Sequence, residues 1–213
     1  MNNNTTSGKL ITLEGIEGVG KSTQMNFLAQ MLKESHIDFI RTREPGGTKM
    51  AEKIRHILLE TTEDETLFPK TEALLLYAGR CQHVGHVIQP ALLQGKWVLC
   101  DRFFDATLAY QGGGREMPLD EIDQLNQWVL GSFKPNYTII LDAPVKLAMS
   151  RLQGRQALDR FEQETFAFFE RIRTAYLTLA KREPKRFFVV DASGSIAEVQ
   201  AQLRTLIQKI MAA

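Results

Sequence analysis

"LITLEGIEGVGKSTQMNFLAQML", Leu10 to Leu32, is the stretch on which the reading of the fold turns. Within it Gly15, Gly20, Lys21 and Ser22 keep the spacing G-x-x-x-x-G-K-[ST]. The apolar run Leu10, Ile11, Thr12 and Leu13 before the loop reads as a buried strand, and Phe27, Leu28, Met31 and Leu32 after it fall on one face of a helix. Strand, loop and helix therefore follow in the order that a phosphate-binding loop needs. Glycines let the backbone wrap an anion, the first-turn amides of the helix point at it, and the helix dipole favours negative charge there. Gly15, Ile16, Glu17, Gly18, Val19, Gly20, Lys21, Ser22 and Thr23 are thus expected to cradle nucleotide phosphates. Lys21 would reach the β and γ phosphates, and Ser22 would ligate magnesium.

Outward from this loop the same alternation repeats. A second strand is expected around Phe39 to Thr42, a third in "KWVLCDR" ending at Asp101, a fourth in "YTIILDAP" ending at Asp142 and a fifth in "RFFVVDASGS". Met50, Ala51, Ile54, Ile57 and Leu58 make a helical face, as do Leu74, Leu75 and Ala78 from about Thr71 onward, followed by Val87, Ile88, Ala91 and Leu92. The last helix opens on a capping box, Ser195 and Glu198, and its expected buried side is Ile196, Val199, Leu203, Ile207 and Ile210. Five strands, each followed by helical sequence, predict an α/β class: a three-layer P-loop NTPase fold with a five-stranded parallel sheet flanked by helices, plus a lid segment. The ligand is expected at the carboxyl ends of the strands. The domain reading is a flexible polar tail over 1–8 and one domain over 9–213, with the lid at about 150–160.

Composition narrows the partners. With 213 residues the chain can build one sizeable core, and 26 Lys plus Arg against 25 Asp plus Glu give no reason to expect a nucleic-acid partner or a membrane surface. Two cysteines, Cys81 and Cys100, form no C-x-x-C, which fits a cytoplasmic protein without a disulfide framework. The start, "MNNNTTSGK", lacks an apolar stretch and is expected to be a polar tail and not a signal peptide. His83 and His86 stand three apart, but no Cys or carboxylate nearby in the sequence completes a metal set.

The polar signals crowd onto segments that follow strands. "REPGGT", Arg43 to Thr48, follows the second strand, and its Gly46 and Gly47 would free the backbone to approach a ligand while Pro45 fixes the turn. "DRFFDATLAYQGGGR", Asp101 to Arg115, reads as a loop after the third strand. Asp101 stands where P-loop enzymes place the acid behind magnesium, and Arg102 can grip a phosphate as a fork. A plain turn and a surface ion pair would leave the same residues. Arg151, Arg155 and Arg160 flank Gly154 before a helix carrying Phe161, Thr165, Phe168, Phe169, Ile172, Tyr176 and Leu179 on one side. A basic, glycine-broken segment suits a closing lid, and it also suits a solvated arginine face. The aromatic stripe is expected in the core rather than under a base.

"GIEGVGKST", "TREPGGT", "LLLYAGR", "DRFFDATLAYQGGGR" and "LDRFEQETFAFFERIR" together resemble the bacterial thymidylate kinases, in order from Lys9 to about Ala180. The resemblance implies phosphoryl transfer from ATP to dTMP with magnesium, in a cytoplasmic homodimer. It implies that Glu17 contacts the acceptor 3′-hydroxyl, Arg102 its phosphate and Arg80 the thymine, that Thr107 reads the base edge, and that Tyr110 crowds the sugar 2′ position. The implied acceptor site comprises Glu17, Glu44, Pro45, Gly46, Leu76, Arg80, Arg102, Thr107, Tyr110 and Gln111. Leu76 departs from the phenylalanine usual four residues before the base-reading arginine, and Gln153 stands where relatives can carry another lid arginine.

The acceptor oxygen in such a reaction is already ionised, so catalysis is alignment and charge neutralisation, without a general base. Lys21, Arg102, Arg151, Arg155 and Arg160 are the candidate catalytic cations, with magnesium on Ser22 and Asp101. Two other readings remain: a deoxynucleoside kinase, and a GTP-driven switch whose D-x-x-G would be Asp191 to Gly194. No Asn-Lys-x-Asp occurs to read guanine.

Overall fold

Five strands, β1 (Leu10–Glu14), β2 (Phe39–Arg43), β3 (Trp97–Asp101), β4 (Tyr137–Asp142) and β5 (Phe187–Asp191), pair in the order β2-β3-β1-β4-β5, and every pairing is parallel. The structure is a computed structural model describing residues 8–60, 65–152, 160–162 and 164–212. β1 lies at the centre and is buried along its whole length, so the loop after it opens at the middle of the sheet's carboxyl edge. Leu13 sits opposite Asp101 on one side and Ile139 on the other, which brings the end of β3 beside the phosphate-binding loop. Parallel neighbours need long crossovers, and helices supply them. These are α1 (Lys21–Glu34), α2 (Lys49–Leu59), α3 (Pro69–His83), α4 (Gln89–Leu93), α5 (Phe104–Thr107), α6 (Leu119–Leu130), α7 (Val145–Ser150), α8 (Phe166–Arg182) and α9 (Ile196–Ala212). Among the described residues no helix is long and apolar enough to cross a membrane.

The main core joins β1, β4 and β5 to α1, α8 and α9 through Met25, Leu28, Ile139, Phe168, Phe169, Ile172, Leu203 and Ile207, all but absent from the surface. The aromatic stripe of α8 is core, as its spacing predicts. Its first member is not part of the helix: Phe161 precedes it, and Thr165 is the cap, its Oγ1 accepting from Phe168 N–H at 3.3 Å. The predicted box at the last helix is present, with Glu198 accepting from Ser195 N–H at 2.7 Å and Ser195 Oγ accepting from Glu198 N–H at 3.3 Å. Ile196, expected in the core, is exposed, because it lies in the first turn of α9 at the rim of a groove.

Two helices turn a different face inward from the one their apolar residues predict. On α2 Ala51 and Leu58 are buried, but Met50 and Ile57 are half exposed. On α3 the buried residues are Glu72, Ala73, Tyr77, Gly79, Arg80 and His83, while Leu74 and Ala78 face outward. The inner side of α3 borders a cleft that needs polar groups, so hydrophobic spacing points to the wrong side. A π-helical turn, Val84–Ile88, links α3 to α4 without a break.

The segment after Asp101, expected as a loop, is helical: α5 continues into a π-helical turn, Leu108–Gly114. Its glycines serve close packing. A Cβ on Gly113 would meet Ala175 Cβ at 2.7 Å, and one on Gly114 would meet the Phe168 ring at 2.5 Å, so α8 can lie against this backbone only because side chains are missing. α6 gave no clear sequence signal because only Ile122 on it is fully buried.

Candidate active site

The phosphate-binding loop has the conformation its glycines permit. Gly18 and Gly20 sit at φ 77° and 90°, in the left-handed region, and Gly20 forms the cap of α1. A side chain on Gly18 would collide with the Ala148 carbonyl, whereas the space beside Gly20 is open. Lys21 Nζ donates to the loop carbonyls of Gly15 at 2.9 Å and Ile16 at 2.8 Å. Burial and the neighbouring Arg102 bring its amine down to about 8, against the opposing pull of Glu17, Asp101 and Glu14.

Two clefts meet at this loop. The first is lined by Glu17, Glu44, Pro45, Arg55, Leu59, Leu76, Arg80, Arg102, Phe103, Ala106, Thr107, Tyr110, Gln111 and Phe161. The second is a wider groove along Gly18 to Gln24 that reaches Arg151, Ala192, Gly194, Ser195 and Ile196. Glu17, Arg55 and Arg102 line both, and so mark where the two join.

In the first cleft the polar groups arrive already oriented. Arg80 Nε donates to Glu44 Oε2 at 2.8 Å and Arg80 Nη2 to Thr107 Oγ1 at 3.0 Å, but its Nη1 is buried without a partner. Gln111 Nε2 donates to Glu72 at 2.6 Å, while its Oε1 is likewise buried and unpartnered. Such orphaned atoms are rare in folded proteins, and they ask for a ligand. His83 spends both ring nitrogens on Thr42 Oγ1 and Glu44 Oε1, at 2.6 and 3.0 Å. Tertiary folding thus supplies the carboxylate that the His83 neighbourhood in sequence lacks, yet among the described residues no group of three such side chains could hold a metal.

Where the clefts join, Arg102 is held at φ 67°, a left-handed conformation costing a residue with a side chain roughly 1–3 kcal/mol. Its Nη2 donates to Glu17 Oε1 at 2.8 Å, its guanidinium lies 4.7 Å from the Tyr110 ring centre, and the Tyr110 hydroxyl donates to both Glu17 oxygens at 2.7 and 2.8 Å. Phe103 N–H and the Tyr176 hydroxyl both donate to Glu14, each at 2.7 Å. Burial, with repulsion from Asp105, pushes the Glu14 carboxyl up to about 8.

Three strands end in aspartate, and the structure separates them. Asp142 is clamped by Arg173 Nε and Nη2 at 2.7 and 2.9 Å, and Asp191 accepts from Ser193 N–H at 2.9 Å. Asp101 alone of the three keeps a buried oxygen, Oδ1, with no partner, one strand away from the loop.

A family model described as thymidylate kinase matches residues 13–203. The chain belongs to the thymidylate kinase family. A thymidylate kinase of Ectopseudomonas mendocina is 49% identical over 207 residues, covering 97% of this chain and 98% of that protein. One of Pseudomonas syringae pv. tomato is 49% identical over 205 residues, covering 96% and 97%. A crystal structure of the thymidylate kinase from Ehrlichia chaffeensis superposes with a TM-score of 0.75 at 33% identity, covering 94% of this chain and 99% of the other.

Of the acceptor residues that the thymidylate kinase resemblance singles out, all but Gly46 line the first cleft. Gly46 lies against the Glu52 side chain, and Gly47 against the His83 ring, so this glycine pair serves packing within the protein. Of the expected lid arginines, Arg151 and Arg160 are described, and each is engaged by partners within the protein. Arg151 borders the groove but donates to the carbonyls of Ala192, Ser193 and Gly194 at 2.9, 3.2 and 3.4 Å. Arg160 lines neither cleft and donates to Leu58 O at 2.8 Å and Glu72 Oε2 at 2.5 Å. Arg155 and most of the expected lid, like Gln153, lie outside the described residues. Sequence reasoning passed over Arg55, which reaches both clefts from α2, and it assigned Phe161 to the core stripe, whereas this ring lines the first cleft and meets Tyr110 edge to face at 5.8 Å. A basic residue on a helix carries no local mark of the cleft it faces.

Proposed function

We propose that the chain transfers the γ-phosphoryl group of ATP to dTMP, giving dTDP and ADP on the route to dTTP. The observation that carries this reading is that Arg80 and Gln111, which line the first cleft, each keep a buried atom without a partner, the donor Arg80 Nη1 and the acceptor Gln111 Oε1. Together they complement a base edge with a carbonyl beside a ring N–H, which thymine presents. Leu76, Phe103 and Phe161 supply the apolar walls of the same cleft, and the loss of an aromatic ring at position 76 is offset by Phe161. Tyr110, fixed through its hydroxyl on Glu17, stands where its bulk would exclude a ribose 2′-hydroxyl, and Glu17 would take the 3′-hydroxyl.

The wider groove suits ATP, with its phosphates on the loop and its adenine toward the turn that Arg151 braces. The transferring group would pass where Glu17, Arg55 and Arg102 line both clefts. Lys21, Arg102 and Arg55 would neutralise its charge, and the ionised acceptor needs no base. The side chains fit a magnesium ion: the orphaned Asp101 Oδ1 would hold it through water and the exposed Ser22 hydroxyl directly. When bound, magnesium supplies charge neutralisation on the phosphate oxygens. Arg151, Arg155 and Arg160 remain proposed as further sources of charge. Arg151 and Arg160 would first have to leave the carbonyl and Glu72 partners described above.

A homodimer belongs to the same reading. Met50, Ile57, Leu74 and Trp128 on α2, α3 and α6 are at least half exposed, an apolar set that a second copy would cover. A cytoplasmic location is compatible with two free cysteines. The test is a panel of nucleoside monophosphates and thymidine with ATP and magnesium, read by coupled ADP detection. Turnover is expected with dTMP. Turnover with thymidine instead would make the chain a deoxynucleoside kinase, and none with any acceptor would revive the switch.

A further inference from the structure

Glu72 is a fully buried carboxylate that the reaction does not use. It lies on the inner face of α3, two turns before Arg80, and does not line either cleft. Four donors converge on it: Gln111 Nε2 on Oε1 at 2.6 Å, Arg160 Nη2 on Oε2 at 2.5 Å, and Arg115 through Nε on Oε1 and Nη2 on Oε2, both at 3.5 Å. A buried carboxylate between two guanidinium groups is an acceptor at every lone pair. The amide of Gln111 therefore has one way to face it, with its N–H toward Glu72. Its oxygen must then point elsewhere, and it is this Oε1 that is left buried without a partner beside the first cleft.

We infer that Glu72 is a specificity-determining positioning residue: by holding the Gln111 amide in one orientation, it makes the base site accept a ring N–H and refuse a ring nitrogen lone pair. The inference rests on the reading above that the first cleft binds the base of dTMP. Thymine offers N3–H to the Gln111 oxygen and a carbonyl to Arg80. Cytosine offers a lone pair at N3 and an amino group where thymine has that carbonyl, so it would set acceptor against acceptor and donor against donor. A free glutamine would reduce the first clash by turning its amide over. Glu72 forbids the turn, because the reversed amide would aim its oxygen at a carboxylate. The two arginines keep this buried charge balanced, and Arg160 is tied to the protein a second time through Leu58 O.

The test is the ratio of kcat/KM for dTMP to that for dCMP. Glu72→Gln keeps the shape but offers Gln111 both a donor and an acceptor, and the ratio should fall by about tenfold or more, the worth of one hydrogen bond gained by the wrong base and weakened for the right one. In a Gln111→Ala background the same substitution should move the ratio less than twofold, which a merely structural role for Glu72 would not produce. If Glu72→Gln alone does not fold, the charge-balanced pair Glu72→Gln with Arg160→Gln tests the same amide, since a ratio between acceptors cancels any common effect on phosphoryl transfer. A ratio within twofold of the parent, or one that shifts equally with and without Gln111, overturns the inference. A parent chain that turns over no dTMP overturns the functional reading itself, and the two failures are thereby told apart.

Discussion

The two clefts of this molecule are built on opposite plans. In the acceptor cleft nearly every polar side chain is already fixed by a buried partner: Arg80 by Glu44 and Thr107, Gln111 by Glu72, Glu17 by Tyr110 and Arg102. In the donor groove Ser22 and Thr23 are exposed, Lys21 rests on carbonyls of its own loop, and Arg151 on those of a neighbouring turn. Under the proposed function, the difference follows from what each must recognise. A base edge is read by single hydrogen bonds, whose discrimination collapses if the groups can turn. A polyphosphate brings several charges, and a helix terminus with mobile cations can meet it after arrival.

The sharpest way to break this contrast is at the junction. Arg102→Ala should lower kcat/KM for dTMP by about 10³, the lower end of what an arginine at a transferring phosphoryl group contributes, with little change in the KM for ATP. If the loss appeared in ATP binding alone, Arg102 would belong to the donor side.

A smaller effect should come from Tyr110. Its ring is wedged at 5.8 Å from Phe161 and 6.2 Å from Phe168, so bulk and not the hydroxyl is expected to exclude ribose. Tyr110→Phe should keep the preference for deoxyribonucleotides, and Tyr110→Ala should reduce it by up to about 10². Unchanged deoxy-to-ribo rate ratios in Tyr110→Ala would remove the residue from sugar recognition.

The least effect is expected on the donor side, and it is one of pH. Lys21 has a lowered amine, about 8, in the free protein, and phosphates favour its charged form. ATP binding therefore takes up a proton above that pH, and affinity should fall by about tenfold between pH 7 and pH 9, by calorimetry. Stability of the free protein should move the other way. Below 10.5 the unfolded chain keeps a proton that folding disfavours, so the Lys21 contribution is full above 10.5 and is lost as pH falls toward 8. A Lys21→Met variant should abolish the extra pH dependence of binding, and an unchanged slope would assign it to another group.

Much of this was legible in the residues themselves. The loop Gly15–Ser22, the five strands, the capped final helix and the core stripe of α8 are encoded within short windows, because backbone propensity, capping and periodicity act over a few residues. The positions named from the family motifs likewise lie mostly along one cleft. What the windows could not encode is which face of α3 turns inward, since Leu74 and Ala78 look like core until Arg80 is seen at the cleft and Glu72 and His83 behind it, holding Gln111 and Glu44. Nor could they encode that the glycines at 113 and 114 admit α8 rather than a ligand.

The strand-end acids show the division most plainly. Sequence alone determines that β3, β4 and β5 each end in aspartate at the edge where ligands bind. Only the tertiary structure decides that Arg173 takes Asp142 and that Asp101 keeps a buried oxygen unpaired, whereas Asp191 is met locally by Ser193, two residues on. Asp101 and Asp142 differ in what distant segments bring to them, and whether such a polar atom is satisfied depends on those partners and not on its own neighbours in the chain.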